Sequence, residues 1–134
     1  MVFLSLFLSL FLSLDDILES HQNQIDTYGG SYGIRDIGLV ESAIAQPEAS
    51  FDGQYLHADI FEMAAAYLYH LVMNHPFVDG NKRVGLEAAL IFLEINDARL
   101  HASDEELADL VLKTIDGQHR KREIAAFFRS HCQE

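Results

Sequence analysis

The sequence is short of cysteine, proline and basic residues, and each shortage narrows what the protein can be. Cys132 is the only cysteine, so neither an internal disulfide nor a zinc site of several cysteines can form, and a reducing cytoplasm is the expected location. Two prolines and eight glycines leave long uninterrupted segments, which favours helix. Nine Lys and Arg residues face 21 Asp and Glu residues, giving a formal net charge of −12. General nucleic-acid binding is therefore not expected, because it requires a basic face.

The first fourteen residues contain a tandem repeat. Phe-Leu-Ser-Leu occurs at 3–6, 7–10 and 11–14. A secretory signal needs a positive n-region and a membrane-spanning helix needs roughly 17–25 apolar residues, so we expect neither. We predict that residues 1–10 are a repeat-expanded extension and that residues 11–134 form one domain with a single hydrophobic core. The alternative is a segment that lies on a membrane surface or joins copies of the chain into a homo-oligomer.

The remaining sequence predicts a single all-α domain of about six helices. Apolar residues recur at helical spacing, and Ser13 and Ser103 each precede acidic residues, as helix N-caps do. Residues 48–57 lack a helical period and predict a loop or a small hairpin. The stretch 81–96 is apolar on nearly every side, so we expect a buried helix at the centre of a compact bundle. The predicted helices span residues 13–28, 36–46, 59–73, 81–96, 103–115 and 120–130.

Residues His75 to Arg83 read His-Pro-Phe-Val-Asp-Gly-Asn-Lys-Arg and form the candidate functional site. Pro76 ends the third predicted helix, so His75 lies at a loop edge, where its imidazole can act as a general base. The next helix then starts with backbone N–H groups that attract an anion. Asp79 is suited to hold Mg²⁺ against phosphate oxygens. The predicted phosphate-binding residues are Gly80, Asn81, Lys82 and Arg83.

Each of these residues has a commoner explanation when it is taken alone. A histidine before a proline is usually an ordinary loop residue, Asp-Gly-Asn is usually a turn, and Lys-Arg in the first turn of a helix is usually solvated. Their order at one helix start, in a strongly acidic chain, is what favours a phosphate site with a proton acceptor at its edge. The basic stretch 119–122 either assists in binding a triphosphate or a target, or is a solvated helix start.

The stretch from His75 to Arg83 resembles the signature of the Fic/Doc family, in particular its Doc (death on curing) branch. Residues 28–36, 41–47 and, more loosely, 105–108 are also similar to Doc sequences, so the resemblance covers about residues 11–131. It implies the helical Fic fold and an enzyme that uses ATP and Mg²⁺. It also implies His75 as the base, Asp79 as the metal ligand and residues 80–83 as the phosphate cradle. The catalytic residues that it implies are His75, Asp79, Asn81, Lys82 and Arg83.

Two positions depart from the Fic pattern His-x-Phe-x-Asp-Gly-Asn-Gly-Arg-x-x-Arg, which is associated with AMP transfer to a protein hydroxyl. Lys82 replaces the second glycine and Leu86 replaces the last arginine. In Doc-type members similar replacements accompany a reversed nucleotide, with the γ-phosphate towards the acceptor hydroxyl. The resemblance therefore implies a toxin kinase that phosphorylates a threonine of elongation factor Tu and so inhibits translation. AMP transfer and a catalytically silent binding module are the alternatives.

The resemblance also carries expectations about regulation and target binding. Fic proteins are inhibited by a helix bearing Ser/Thr-x-x-x-Glu-Gly/Asn, and no glutamate in this sequence precedes Gly or Asn. An inhibitor in trans, similar to the Phd antitoxin, is therefore implied, with a segment that folds as it binds. Residues 48–57 would form a flap that aligns the target chain by β-augmentation.

Overall fold

The structure, a computed structural model, describes residues 9–133 and confirms the predicted all-α class. In that range six helices account for most of the chain, and four strands of two residues each pair in two antiparallel ribbons. The helices are α1 (Leu14–Tyr28), α2 (Ile37–Ala45), α3 (Ile60–Asn74), α4 (Asn81–Ile95), α5 (Asp104–Ile115) and α6 (Lys121–His131). The strands are β1 (Ser50–Phe51), β2 (Gln54–Tyr55), β3 (Arg99–Leu100) and β4 (Cys132–Gln133).

The helix starts are set by side chains that cap free backbone N–H groups. Ser13 and Ser103, both predicted as N-caps, form capping boxes, in which each serine hydroxyl accepts from the backbone N–H three residues later. Asp36 and Asp59 cap α2 and α3 in the same way with a carboxylate. Each of these caps lies next to the predicted start of its helix, so local sequence sets these boundaries.

The centre of the bundle is α3 rather than the predicted stretch 81–96. Nine of its residues are buried, against six in α4, and α3 contacts α2, α4, α5 and α6. Its run Ala64, Ala65 and Ala66 is fully buried, because small side chains let the neighbouring helices approach closely. Helix α4 packs along α3, but Leu86 is only half-buried and Ile95 is 38% exposed. Helix α4 is therefore one wall of the core and remains open on its other side.

The N-terminal end of the described chain is fastened to the bundle. The backbone of Leu10 exchanges two hydrogen bonds with the side-chain amide of Asn96, at 2.9 and 3.0 Å. The ring of Phe11 lies between those of Tyr55 and Phe92, with centroids 5.6 and 5.8 Å away. The third Phe-Leu-Ser-Leu copy is thus part of the domain. The first copy lies outside the described residues, so the proposed role of the repeat stays a prediction.

Two short features complete the fold. Strands β1 and β2 form the small hairpin predicted for residues 48–57, whereas the ribbon of β3 and β4 was not predicted. Between residues 9 and 133 no helix is both long and apolar enough to cross a membrane. The candidate functional motif lies between α3 and α4, where residues 75–80 form a short loop at one end of the bundle.

Candidate active site

The loop between α3 and α4 opens into a cleft of about 730 Å³, and all six predicted site residues line it. One wall is formed by the loop and the first turns of α4, and the facing wall by α5. The lining residues are His75, Val78, Asp79, Gly80, Asn81, Lys82, Arg83 and Leu86 on one wall, and Asp104, Leu107, Ala108, Val111 and Leu112 on the other. The six predicted site residues therefore share one surface, although their roles stay predictions.

His75 ends α3 and presents an exposed imidazole to the cleft. Its backbone is left-handed, with φ 49° and ψ 54°, which turns the chain out of the helix. Pro76 and Phe77 behind it are buried. Within residues 9–133 no hydrogen bond engages the His75 ring, so its nitrogens are available to a ligand. An exposed ring without a partner is compatible with a general base, and that role of His75 stays a prediction.

Asp79 lines the cleft, and one of its carboxylate oxygens is hydrogen-bonded while no hydrogen bond of the described residues engages the other. Oδ2 accepts a hydrogen bond from the backbone N–H of Ser31 at 2.8 Å. Gly30, which precedes Ser31, allows this approach, because a Cβ there would lie 3.2 Å from the Asp79 Cβ. No cluster of three or more His, Cys, Asp or Glu side chains suited to a metal occurs among the described residues. A single carboxylate beside the predicted phosphate-binding residues nevertheless fits the predicted Mg²⁺, which keeps waters and shares ligands with phosphates.

Gly80 and the start of α4 provide backbone donors. Gly80 has φ 86°, a conformation that glycine adopts without strain, and no side chain caps the helix. The first N–H groups of α4 therefore point outwards without an intrahelical acceptor, at the positive end of the helix dipole. Such a helix start binds phosphate or carboxylate readily.

Asn81 is occupied in holding the loop. Its Oδ1 accepts from the backbone N–H of Phe77 and its Nδ2 donates to the carbonyl of the same residue, both at 2.9 Å. The amide retains one N–H for a ligand. The predicted phosphate-binding role is thus combined with a structural one that the sequence did not indicate.

Lys82 and Arg83 have different surroundings, although they are adjacent. The guanidinium carbon of Arg83 lies 4.4 Å from the ring centroid of Tyr28, a cation–π contact. Lys82 is exposed, lines the cleft, and forms no ion pair or hydrogen bond within the described part of the chain. Both side chains therefore keep N–H donors for an anion in the cleft, and Lys82 has no partner of any kind in residues 9–133.

The α5 wall is the part of the site that sequence reasoning missed. Leu107, Val111 and Leu112 make it largely apolar, and Leu112 is 58% exposed. The available signal was that residues 107–112 contain more apolar side chains than one helix face can bury. The basic stretch 119–122, by contrast, does not line the cleft. There Lys121 contacts His70 at 3.1 Å and Arg122 pairs with Glu123.

Comparison with known proteins agrees with the motif. A model of the Fic/DOC family matches residues 11–93, which include the whole loop and most of α4. A protein named Toxin Doc from Mycolicibacterium smegmatis is 43% identical over 75 residues, which cover 56% of this chain and 58% of that protein, less than two thirds of its length. A protein named Protein kinase doc from Escherichia phage P1 is 33% identical over 115 residues, which cover 86% of this chain and 90% of that protein.

Proposed function

The chain belongs to the Fic/DOC family, and on that premise we propose that it is a Doc-like toxin with protein kinase activity. It would transfer the γ-phosphate of ATP to a hydroxyl group of a protein. A threonine of elongation factor Tu is the proposed acceptor, and inhibition of translation the proposed consequence. One relative is named a toxin and the other a protein kinase, and these names support the two parts of the proposal.

In this mechanism His75 is the general base. The acceptor hydroxyl oxygen attacks the γ-phosphorus, the bond from that phosphorus to the β–γ bridging oxygen breaks, and ADP leaves. The hydroxyl proton passes to a ring nitrogen of His75, which is exposed in the cleft and not engaged by another group in residues 9–133. The position of His75 immediately after α3 fixes where the acceptor chain has to lie.

The start of α4 holds the phosphates. Its outward N–H groups and Lys82 provide donors and positive charge, and Gly80 lets the backbone approach closely. Asp79, through its free carboxylate oxygen, would hold Mg²⁺. When bound, the ion neutralises charge on the phosphate oxygens. The chain's own residues thus position the reacting groups, which is the main requirement of phosphoryl transfer.

The observation that carries the kinase proposal is Lys82. In the Fic pattern this position is a glycine, which leaves room for phosphates over the loop. Here a long cationic side chain lines the cleft at that point. It occupies space and adds charge, which favours a nucleotide that presents its terminal phosphate to His75.

The proposed regulator is a Phd-like antitoxin supplied in trans. The name of the relative Toxin Doc supports a toxin–antitoxin pair. No inhibitory Glu-Gly or Glu-Asn motif occurs in this sequence. A partner covering the cleft would keep substrate away from His75.

Labelled ATP tests the proposal directly. The purified protein is incubated with elongation factor Tu and ATP labelled at either the α- or the γ-phosphate. We expect label on the target from γ-labelled ATP only, and its loss in His75→Ala. His101→Ala is the matched control, since His101 is an exposed histidine that does not line the cleft. Transfer of the α-label would overturn the kinase in favour of AMP transfer. Growth inhibition that survives His75→Ala without any labelling would support a silent binding module instead.

A further inference from the structure

The loop that carries the candidate site is held from outside the cleft by two side chains that the proposed mechanism does not use. Arg35 lies just before α2 and His21 lies in α1, and neither is among the residues lining the cleft. Both form hydrogen bonds to backbone carbonyls of the loop. Their contacts fall at opposite ends of the loop, one beside His75 and the other at Asp79.

Arg35 fixes the start of the loop. Its Nε donates to the carbonyl of His75 at 2.6 Å, and its Nη2 donates to the carbonyl of Asn74 at 2.7 Å. Its backbone N–H donates to the carbonyl of Pro76 at 2.8 Å. Three consecutive carbonyls at the end of α3, which have no helical partner, are therefore satisfied by one residue. The guanidinium charge also faces the negative end of the α3 dipole.

His21 fixes the end of the loop. It is 3% exposed, and its ring stacks on that of Phe77 with a centroid distance of 3.9 Å and an interplanar angle of 8°. Its Nε2 lies 2.9 Å from the carbonyl oxygen of Asp79. Because a carbonyl can only accept, this nitrogen carries the hydrogen and donates it. The same ring lies under Gly80, where an added Cβ would be 3.5 Å from the His21 Cδ2.

These contacts decide how well the two reactive side chains are placed relative to each other. His75 and Asp79 are separated by only three residues, so their relative position depends on the course of the backbone between them. A backbone held at both ends before the substrate arrives keeps the base and the carboxylate in place, and a misplacement of about 1 Å can cost on the order of 100-fold in rate.

Building on the function proposed above, we propose that Arg35 and His21 are positioning residues for His75 and Asp79. They act on the rate of transfer and contribute little to nucleotide binding. Arg35→Ala and His21→Phe remove the two sets of donors, while the phenylalanine keeps the stack on Phe77. We expect each variant to lower kcat by 10- to 100-fold and to change KM for ATP by less than threefold.

Rescue and a matched control separate positioning from a general effect on folding. Guanidinium ion, at millimolar concentrations too low to unfold the protein, is expected to restore part of the activity of Arg35→Ala. His21→Gln keeps a side-chain donor and is expected to retain more activity than His21→Phe. Arg129 lies away from the cleft and pairs with Asp59, with 2.8 Å between Nη2 and Oδ2. The variant Arg129→Ala is therefore expected to leave kcat unchanged.

A second readout does not depend on the reaction. Amide hydrogen exchange of Phe77 and Val78, whose N–H groups bond Asn81 and Gly33, is expected to be at least tenfold faster in both variants, with core amides unaffected. If the label assay fails but exchange at these amides rises, the proposed function is wrong and the positioning role stands. The proposal is overturned if the folded variants keep kcat within twofold, if only KM changes, or if exchange at the loop is unaltered. Should Arg35→Ala or His21→Phe not fold, Arg35→Met and His21→Leu, which also remove the side-chain donors, are decided by the same criteria.

Discussion

Gly85 allows α3 and α4 to approach closely, and replacing it with alanine tests that reading of the fold. Gly85 is buried in the second turn of α4. A Cβ there would lie 2.7 Å from Cγ2 of Val72 and 3.2 Å from the backbone carbonyl oxygen of Leu68. Both residues belong to α3 and are fully buried. The valine side chain is β-branched and stiff, and the carbonyl is part of a helix, so neither can move aside at low cost.

Two effects of opposite sign determine the result. Alanine is the better helix former and would stabilise α4 by about 1 kcal/mol. Inserting a methyl group into a well-packed core costs typically about 1–3 kcal/mol, and a contact with backbone places this site near the upper end. The balance is a loss of roughly 2 kcal/mol in the free energy of unfolding. Because α3 ends at His75 and α4 begins beside Gly80, the same displacement is expected to lower catalytic activity.

Urea unfolding followed by circular dichroism measures this balance. For an m-value near 2 kcal/mol/M, a loss of about 2 kcal/mol lowers the midpoint by about 1 M urea. Val72→Ala makes room for the new methyl group, so the double variant is expected to lose at least about 1 kcal/mol less than the sum of the single changes. A stabilised Gly85→Ala protein, or strictly additive losses in the double variant, would refute the close approach of α3 and α4.

Three further changes test individual interactions. Asn81→Ala removes both side-chain hydrogen bonds to the loop backbone and is expected to lower the free energy of unfolding by about 2 kcal/mol. Asn81→Asp keeps the acceptor and is expected to lose less. Equal stability of the two variants and the unchanged protein in urea would contradict the structural role of Asn81. Burial, followed by the charges of Lys121 and His57, lowers the pKa of His70 to about 4. Between about pH 4 and pH 6.5 the folded protein therefore keeps His70 neutral, whereas the unfolded chain protonates it. The free energy of unfolding is thus highest above about pH 6.5 and declines as the pH falls towards 4. Since this ring is only partly buried, solvent screening limits the contribution of His70 to about 1 kcal/mol. The urea midpoints at about pH 7 and about pH 5 are therefore expected to differ less in His70→Gln than in the unchanged protein. Lys82→Gln takes an unfavourable cation from the start of α4 and is expected to raise the unfolding free energy by about 0.5 kcal/mol while reducing transfer at least tenfold; a less stable, fully active variant would contradict both expectations.

The helices are predictable from the sequence because the signals that start and end them are local. Ser13 and Ser103 act as N-caps wherever the chain goes next, and Pro47 limits α2 regardless of tertiary context. Local signals do not determine which helix lies at the centre of the bundle. The sequence predicts residues 81–96 as the buried centre, yet α3 is more buried, because its alanines admit neighbours on several sides. That outcome depends on shape across the bundle, which periodicity does not report.

The candidate site likewise has one part that the sequence predicts and one part that depends on tertiary structure. The order of residues from His75 to Arg83 is enough to predict that they share one surface, because they span a loop and the helix start that follows it. The occupied amide of Asn81 is not predictable, since it depends on where the backbone of Phe77 lies. Nor is the α5 wall, which reaches the cleft only through tertiary folding. A linear motif thus gives the members of the site but not which of their atoms are free.

The surroundings of Lys82 favour an anionic ligand on physical grounds that are independent of family membership. Most cations in the described chain have a local partner: Arg83 lies on Tyr28, Arg35 on backbone carbonyls, and Lys113 on Asp109. Lys82 has none in residues 9–133, and it stands at the positive end of the α4 dipole, where a lone cation is unfavourable by about 0.3–1 kcal/mol. A phosphate group in the cleft would reverse that sign, because the ammonium and the helix start would then act on the same negative charge.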